Sequence, residues 1–311
     1  MKENIKRVQI SIGGLILGIT ATGNLLNDYI AHSRQLCGII ASILLILVIL
    51  KLIYYPKYFK EDLDNPVLAS IMATFSMTLM LLSNYFEAYT GTQVAISIWF
   101  FAIILHTFFV LNYIYKYVLH FKLEHYTAGS FVVFAGIQMI AITAPQFHQE
   151  SIGNVAFWIS LISVVLVFIV VCCRYIKIGV NSPLKPVLGV YAAPFSLCAV
   201  GYLSSVSPNN FYLVLSFYTI TKILYIMVLA KFVEYRHLPF YPTYAAYTFP
   251  IVINAITTLK TKCYLQSLNI GSTLMEYELY IEILIALALI LYVLYYYMIA
   301  IFEIPRKEVK M

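Results

Sequence analysis

Residues 36–54 read LCGIIASILLILVILKLIY, a stretch in which only Lys51 carries a charge. At 1.5 Å of rise per residue, a helix of this length reaches across a hydrocarbon core of roughly 30 Å. Its centre, Ile39 to Leu50, shows no alternation of polar and apolar positions. The strands of a membrane barrel, with one face turned to a polar lumen, would alternate over segments of about ten residues. Ile283 to Met298 (ILIALALILYVLYYYM) repeats the pattern near the other end of the chain. Outward from these two runs, apolar stretches of similar length fall at 8–27, 36–54, 66–86, 93–115, 127–147, 152–173, 186–206, 210–231, 240–259 and 279–302. The expected fold is all-α: a single transmembrane domain over 1–311 with ten membrane-spanning helices.

Composition agrees with a membrane solvent, since 62% of the 311 residues are hydrophobic and 11% charged, where soluble domains carry about 25% charged residues. The loops are too short for a separate soluble domain, so function is expected within the membrane or at its two faces. The first apolar segment has no small-residue cleavage site and reads as a span, not a removable signal. Cys37, Cys172, Cys173, Cys198 and Cys263 form no CxxC pair and no Cys/His metal spacing, and are expected to pack as ordinary membrane residues. No P-loop, GxSxG or HExxH is present, and no paired acids share a face of an odd-numbered span, so catalysis is not expected, nor any cofactor or metal.

The formal charge of +6 is distributed as a membrane orientation and not as a nucleic-acid surface. Lys2, Lys6, Arg7, Lys51, Lys57, Lys60, Lys116, Lys122, Arg174, Lys177, Lys185, Lys231, Arg236, Arg306, Lys307 and Lys310 fall on one side. Arg34, Lys260 and Lys262 fall on the other, and Lys222 lies inside the eighth span. Cytoplasmic loops collect Lys and Arg, so both termini are expected in the cytoplasm of a multi-pass plasma-membrane protein. An even number of spans follows.

Odd and even spans differ chemically. The odd spans contain no Asp, Glu, Lys or Arg but are rich in Gly, Ser, Thr and Asn, such as Gly13, Gly14, Gly18, Thr74, Gly136, Ser196, Thr248 and Asn254. Small and hydroxylated residues allow close helix approach and can line water, whereas a lipid-facing surface prefers Leu, Ile and Val. Five helical hairpins around an axis, odd helices inside, is the expected arrangement; a generic bundle with small residues at its interfaces is the alternative. Pro194 and Pro250 remove backbone donors and kink the seventh and ninth spans. Groups freed by such kinks need protein or a water-filled cavity to satisfy them, which favours a pathway.

Tyr244 to Ala255, YAAYTFPIVINA, resembles the ninth helix of the plant slow-type anion channels and the bacterial tellurite-resistance/dicarboxylate transporter proteins. Asn65-Pro66-Val67-Leu68 with Ala73-Thr74-Phe75 resembles that family's third-helix opening, with Asn-Pro in place of its usual His-Pro. Leu188 to Pro194, LGVYAAP, resembles its seventh helix. The resemblance implies a ten-helix pore of five hairpins, commonly a homotrimer with one pore per subunit. It also implies an aromatic ring on the ninth helix that occludes the pore, at Phe249, with Phe75 and Phe134 as a neighbouring aromatic layer. Several relatives have proline near Val133 and Ser76, where this chain has none, which leaves the kinks and pore width of the fifth and third spans open.

A path without fixed charge can pass anions on hydroxyl and amide donors and the positive ends of broken helices. Gly18, Thr74, Gly136, Ser196 and Thr248 are the expected lining. The expected function is an anion channel for small monovalent anions such as nitrate and chloride, with weak preference for the larger ones. A secondary carrier of C4-dicarboxylates such as malate, a tellurite-resistance-type exporter, and a membrane scaffold without flux are the alternatives. Lys222 and Glu282, charged within apolar spans, read as an intramembrane pair, a subunit contact or an ion-coupling site. His106 reads as an outer-wall hydrogen-bonding residue or a proton relay. Tyr54, Tyr55, Tyr58, Tyr113, Tyr115 and Tyr117 sit near span ends as an interfacial aromatic belt.

Overall fold

The structure, a computed structural model, describes residues 2–271 and 273–302. Arg306, Lys307 and Lys310, and the side chain of Lys2, lie outside that description. In chain order the α-helices are α1 (Lys2–Arg7), α2 (Ile12–Leu26), α3 (Ser33–Tyr54), α4 (Pro56–Leu63), α5 (Pro66–Thr90), α6 (Thr92–Tyr113), α7 (Ser130–Ala135), α8 (Gln138–Thr143), α9 (Glu150–Lys177), α10 (Pro194–Ser205), α11 (Phe211–Tyr235), α12 (Phe249–Ser267) and α13 (Thr273–Phe302). Three 3₁₀ stretches extend inner helices: Ala144–Phe147 follows α8, Ser182–Ala192 precedes α10 and Pro242–Tyr247 precedes α12.

Local chemistry sets several boundaries. At α5, Pro66 occupies the first turn and the Asn65 side chain accepts from Val67 N at 3.0 Å and Leu68 N at 3.2 Å, satisfying two donors that have no partner within the helix. Asn210 caps α11 in the same way through Leu213 N at 3.1 Å. The tight turn from α5 into α6 runs through Gly91 at φ +80, a conformation in which a side chain would be strained. α12 ends where Asn269 adopts φ 59 and the Ile270 N–H turns back to Leu265 O.

Alternate helices are buried. The spans within Pro66–Thr90, Ser130–Phe147 and Ser182–Ser205 are 78%, 72% and 78% buried, against 33% for Ser33–Tyr54, Glu150–Lys177, Phe211–Tyr235 and Thr273–Phe302 and 28% for Thr92–Val118. The outer helices expose Ile39, Ile104, Leu166, Ile223 and Leu284, side chains suited to lipid. The inner helices close a ring, in which α2 packs on α5 and α12, α5 on α7 and α8, these on α10, and α10 on α12. Glycines let α2 sit so close to its neighbours: a β-carbon at Gly13 would lie 2.1 Å from Thr74 Oγ1, and one at Gly18 2.9 Å from Phe249 N.

The chain is thus an all-helical, polytopic membrane protein. Among the described residues eight helical segments have the length and apolarity to cross a membrane; Ile12–Leu26 is shorter, and α12 is more polar. α12 also runs eight residues past the expected end at 259. Lys260 and Lys262 therefore ride its last turns instead of a loop. Lys262 faces Glu276 at 3.7 Å, and with no Pro or Gly between Leu259 and Ser267 nothing in the backbone stops the helix at the first charge.

Side-chain contacts gather the basic loops on one face. Lys51 Nζ donates to Val8 O, Lys116 Nζ reaches Asp64 Oδ1 at 2.6 Å, and Thr243 Oγ1 donates to Pro183 O at 2.6 Å. The inner spans, counted with the 3₁₀ stretches before α10 and α12, begin at this face and run away from it.

Candidate functional site

Two cavities lie within the inner ring, one toward each face. The basic-face cavity, about 50 Å³, is lined by Gly14 and Leu17 of α2, Thr74 and Met77 of α5, Phe131 and Ala135 of α7, Val190, Ala193 and Leu197 around the start of α10, and Ala245, Ala246, Phe249 and Pro250 around the start of α12. The far-face cavity, about 280 Å³, is lined by Ala21 and Asn24, Leu81, Met139, Val200 and Ser204, and Ile253, Ile256, Leu259 and Lys260. Each draws on all five inner helices. Phe249, 5% exposed, is the residue common to both. Phe249, Ile253, Ile256 and Lys260 recur at helical spacing and form the stripe of α12 that faces the far cavity.

The inner helices break near the level of this ring. The chain passes from 3₁₀ to α-helix at Ala193–Pro194 and again at Thr248, whose φ −87 and ψ −82 lie outside helical values. The backbone N–H ends of α10 and α12, the positive ends of their dipoles, thereby begin inside the protein. The fifth span breaks without proline, between α7 and α8 at Gly136–Ile137. In a continuous helix the Val133 and Phe134 carbonyls would accept from Ile137 and Gln138 N–H. Here His106 Nε2 donates to Val133 O at 3.1 Å from α6, and Ser160 Oγ donates to Phe134 O at 2.8 Å from α9. His106 is buried, and its Nδ1 faces Ser76 Oγ of α5 at 2.9 Å. The outer wall thus supplies the donors that make this break tolerable away from water. The third span, by contrast, is the continuous helix α5 through Ser76.

The residues expected around the path occupy varied places. Thr74 reaches the basic-face cavity. Gly18 packs beneath Thr248 and Phe249, and Gly136 against His106 and Met77. Ser196 donates to Ala192 O at 2.6 Å, and Thr248 to Gly14 O at 2.8 Å and Ala245 O at 2.6 Å. Phe75 packs on Gly13, and Phe134 sets its ring edge-on to Tyr113 at 5.9 Å. Neither ring lines either of these two cavities; Phe131 lines the basic-face one.

Most inner-helix hydroxyls turn back on their own helix, as in Thr20 to Ile16 O, Thr78 to Thr74 O and Thr257 to Ile253 O. They permit close packing and leave the axis to Leu17, Met77, Leu197, Leu81, Met139 and Ile253. Sequence reading missed this apolar lining, although the 3.6-residue stripe from Phe249 to Lys260 carries its signal.

Behind α12, away from the cavities, Lys222 of α11 meets Glu282 and Glu278 of α13. Its Nζ contacts Glu282 Oε1 and lies 3.2 Å from Glu278 Oε1. It also reaches Asn254 Oδ1 at 2.8 Å and Thr258 Oγ1 at 2.5 Å. The Thr258 hydroxyl in turn donates to Glu282 Oε2 at 2.5 Å, and Tyr218 OH donates to Glu278. Glu282, 2% exposed, is thereby paired and hydrogen-bonded, the condition for holding a charge away from water.

Among the described residues no three His, Cys, Asp or Glu converge as a metal site. The family model described as voltage-dependent anion channel (SLAC1) matches residues 7–302. No curated protein matches the chain.

Proposed function

We propose, since the chain belongs to the voltage-dependent anion channel family, that it conducts small monovalent anions such as nitrate and chloride along the axis of its inner ring, with Phe249 as the closed gate. The observation that carries this reading is the pair of cavities divided by one ring: each is bounded by all five inner helices, and Phe249 belongs to both. An apolar constriction of this kind blocks ions by excluding water. Rotation of the Phe249 side chain, or of the helix that bears it, joins the two cavities.

The apolar lining bears on selectivity. An anion in this path sheds water against Leu, Met and Val, with the α10 and α12 N-termini and backbone amides as its compensation. Weakly hydrated anions lose least, so nitrate passes more readily than chloride. Asp28, at the far mouth, is the acidic side chain among the lining residues and Lys260 the basic one, so cations find no carboxylate ring to replace their water.

The same lining bears on carrier readings. A C4-dicarboxylate asks for a cationic or strongly polar clamp, and Lys260 alone supplies a positive side chain to the cavities. Ten spans, cytoplasmic termini at the basic face of a plasma-membrane protein, and assembly as a homotrimer complete the proposal. Liposomes containing the purified protein test the reading: chloride and nitrate should move down imposed gradients, in proportion to membrane potential. Uptake of malate with no electrogenic chloride or nitrate flux would replace the channel by a carrier, and no flux of any solute would leave the scaffold reading.

A further inference from the structure

α12 bears Phe249 on its first turn, which joins the preceding chain through Thr248, whose N–H donates to Ala245 O and whose carbonyl accepts from Ile251 and Val252. The 3₁₀ stretch before it ends at Tyr247, Thr248 lies outside helical φ and ψ, and Pro250 has no N–H to donate. Side chains on its other faces fix its rotation as well. At the break, Thr248 Oγ1 donates to Gly14 O at 2.8 Å. Farther along, Asn254 and Thr258, one turn apart on the back of the helix, are held by Lys222 at 2.8 and 2.5 Å, while Ile253 and Ile256 face the cavity. Asn254 Nδ2 also lies 3.5 Å from Ser196 Oγ of α10.

We infer that Lys222 is a positioning residue for the Phe249 gate: through Asn254 and Thr258 it locks α12 in the rotation that sets the ring across the axis. The inference rests on the reading of Phe249 as a gate. Its physical basis is that Lys222 cannot follow α12 freely. A turn of α12 large enough to carry Phe249 off the axis draws Asn254 and Thr258 away from the ammonium and takes the Thr258 donor from Glu282. Lys222 meanwhile stays with the buried carboxylate, because separating such a pair away from water is costly. The closed register therefore keeps every partner satisfied, and a rotated register leaves polar groups of α12 unpaired in an apolar wall.

The test uses the full chain in planar bilayers, with the pair replaced together, Lys222→Met with Glu282→Leu, since removing one partner alone strands a buried charge. Glu278, a third exposed, keeps its bond from Tyr218. The double variant should fold and raise the open probability about tenfold, as expected from loss of about 1.4 kcal/mol of bias toward the closed state. Added to Phe249→Ala, the same pair should change conductance little, because no ring remains to be positioned. Thr258→Val, which leaves the ion pair and cuts one link to α12, should raise open probability in the same direction and carries the test if the double variant does not fold. Wild-type gating in the folded double variant or in Thr258→Val, alongside a conducting Phe249→Ala, overturns the inference and leaves the gate in place. A Phe249→Ala protein that conducts no more than wild type removes the gate and the inference together.

Discussion

Replacing His106 by Leu tests whether the outer wall holds the break in the fifth span. Leu fills a similar volume but donates nothing, so the Val133 carbonyl loses the partner it has at 3.1 Å. Ser76 keeps its bond to Ala73 O at 2.8 Å, so one buried acceptor is orphaned and not two. Leaving a buried acceptor unpaired costs about 1–3 kcal/mol, and hydrogen bonds within membranes average toward about 0.6 kcal/mol with a maximum near 1.7. A loss of about 1–2 kcal/mol follows from the two ranges together. At roughly 2–4 °C per kcal/mol, this lowers the unfolding midpoint by about 2–8 °C. The assay is a thermal scan of detergent-purified protein at one fixed rate, with Thr107→Leu as the control. Thr107 is exposed and bonds only along its own helix, to Ile103 O at 2.9 Å, and its variant should scan as wild type. A His106→Leu midpoint equal to that of Thr107→Leu would refute the argument that His106 satisfies the break.

Two further outcomes follow from close contacts. Gly18→Ala places a β-carbon 2.9 Å from the Phe249 backbone nitrogen; overpacking of about 1–3 kcal/mol less a helix-propensity gain of about 0.5–1 leaves a net loss of about 0–2.5 kcal/mol, read as a lower thermal midpoint. Lys116 beside Asp64 holds that carboxyl below the usual carboxylate range, chiefly through their hydrogen bond. A depressed folded pKa stabilises above the unfolded value and is lost as pH falls through the folded one. Asp64→Asn should therefore be slightly less stable than wild type at neutral pH, and scans below about pH 4 should show that gap closing.

Much of the fold is legible in the sequence because hydropathy and helix length share one cause. The run 36–54 lies within the helix Ser33–Tyr54, and the opening at 66 coincides with Pro66. The division into buried and lipid-facing helices follows from where Leu and Ile, or Gly, Ser and Thr, concentrate. Helical breaks lie at Pro194 and just before Pro250, where a missing N–H marks them. The break at Gly136–Ile137 has no such mark. It depends on donors from His106 and Ser160, far along the chain, which only the packed structure brings to Val133 and Phe134.

The lining is harder to read for a related reason. Composition tells which helix is inside but not which face turns to the axis, and a hydroxyl that bonds its own carbonyl is as content in a helix contact as beside water. Thr78 and Thr257 take the former course. Lys222 and Glu282 stand out as charges within apolar spans, whereas their partners Asn254 and Thr258 look like ordinary polar residues of an inner helix until the structure sets them against the ammonium.

The central claim is that anions follow the axis of the inner ring and that Phe249 closes it. Current through the purified protein in planar bilayers, wild type beside Phe249→Ala under a potassium chloride gradient, tests it most directly. The account predicts a small wild-type current that rises sharply in the variant and reverses near the chloride potential. A folded Phe249→Ala protein with no added current, or with current reversing near the potassium potential, would contradict it.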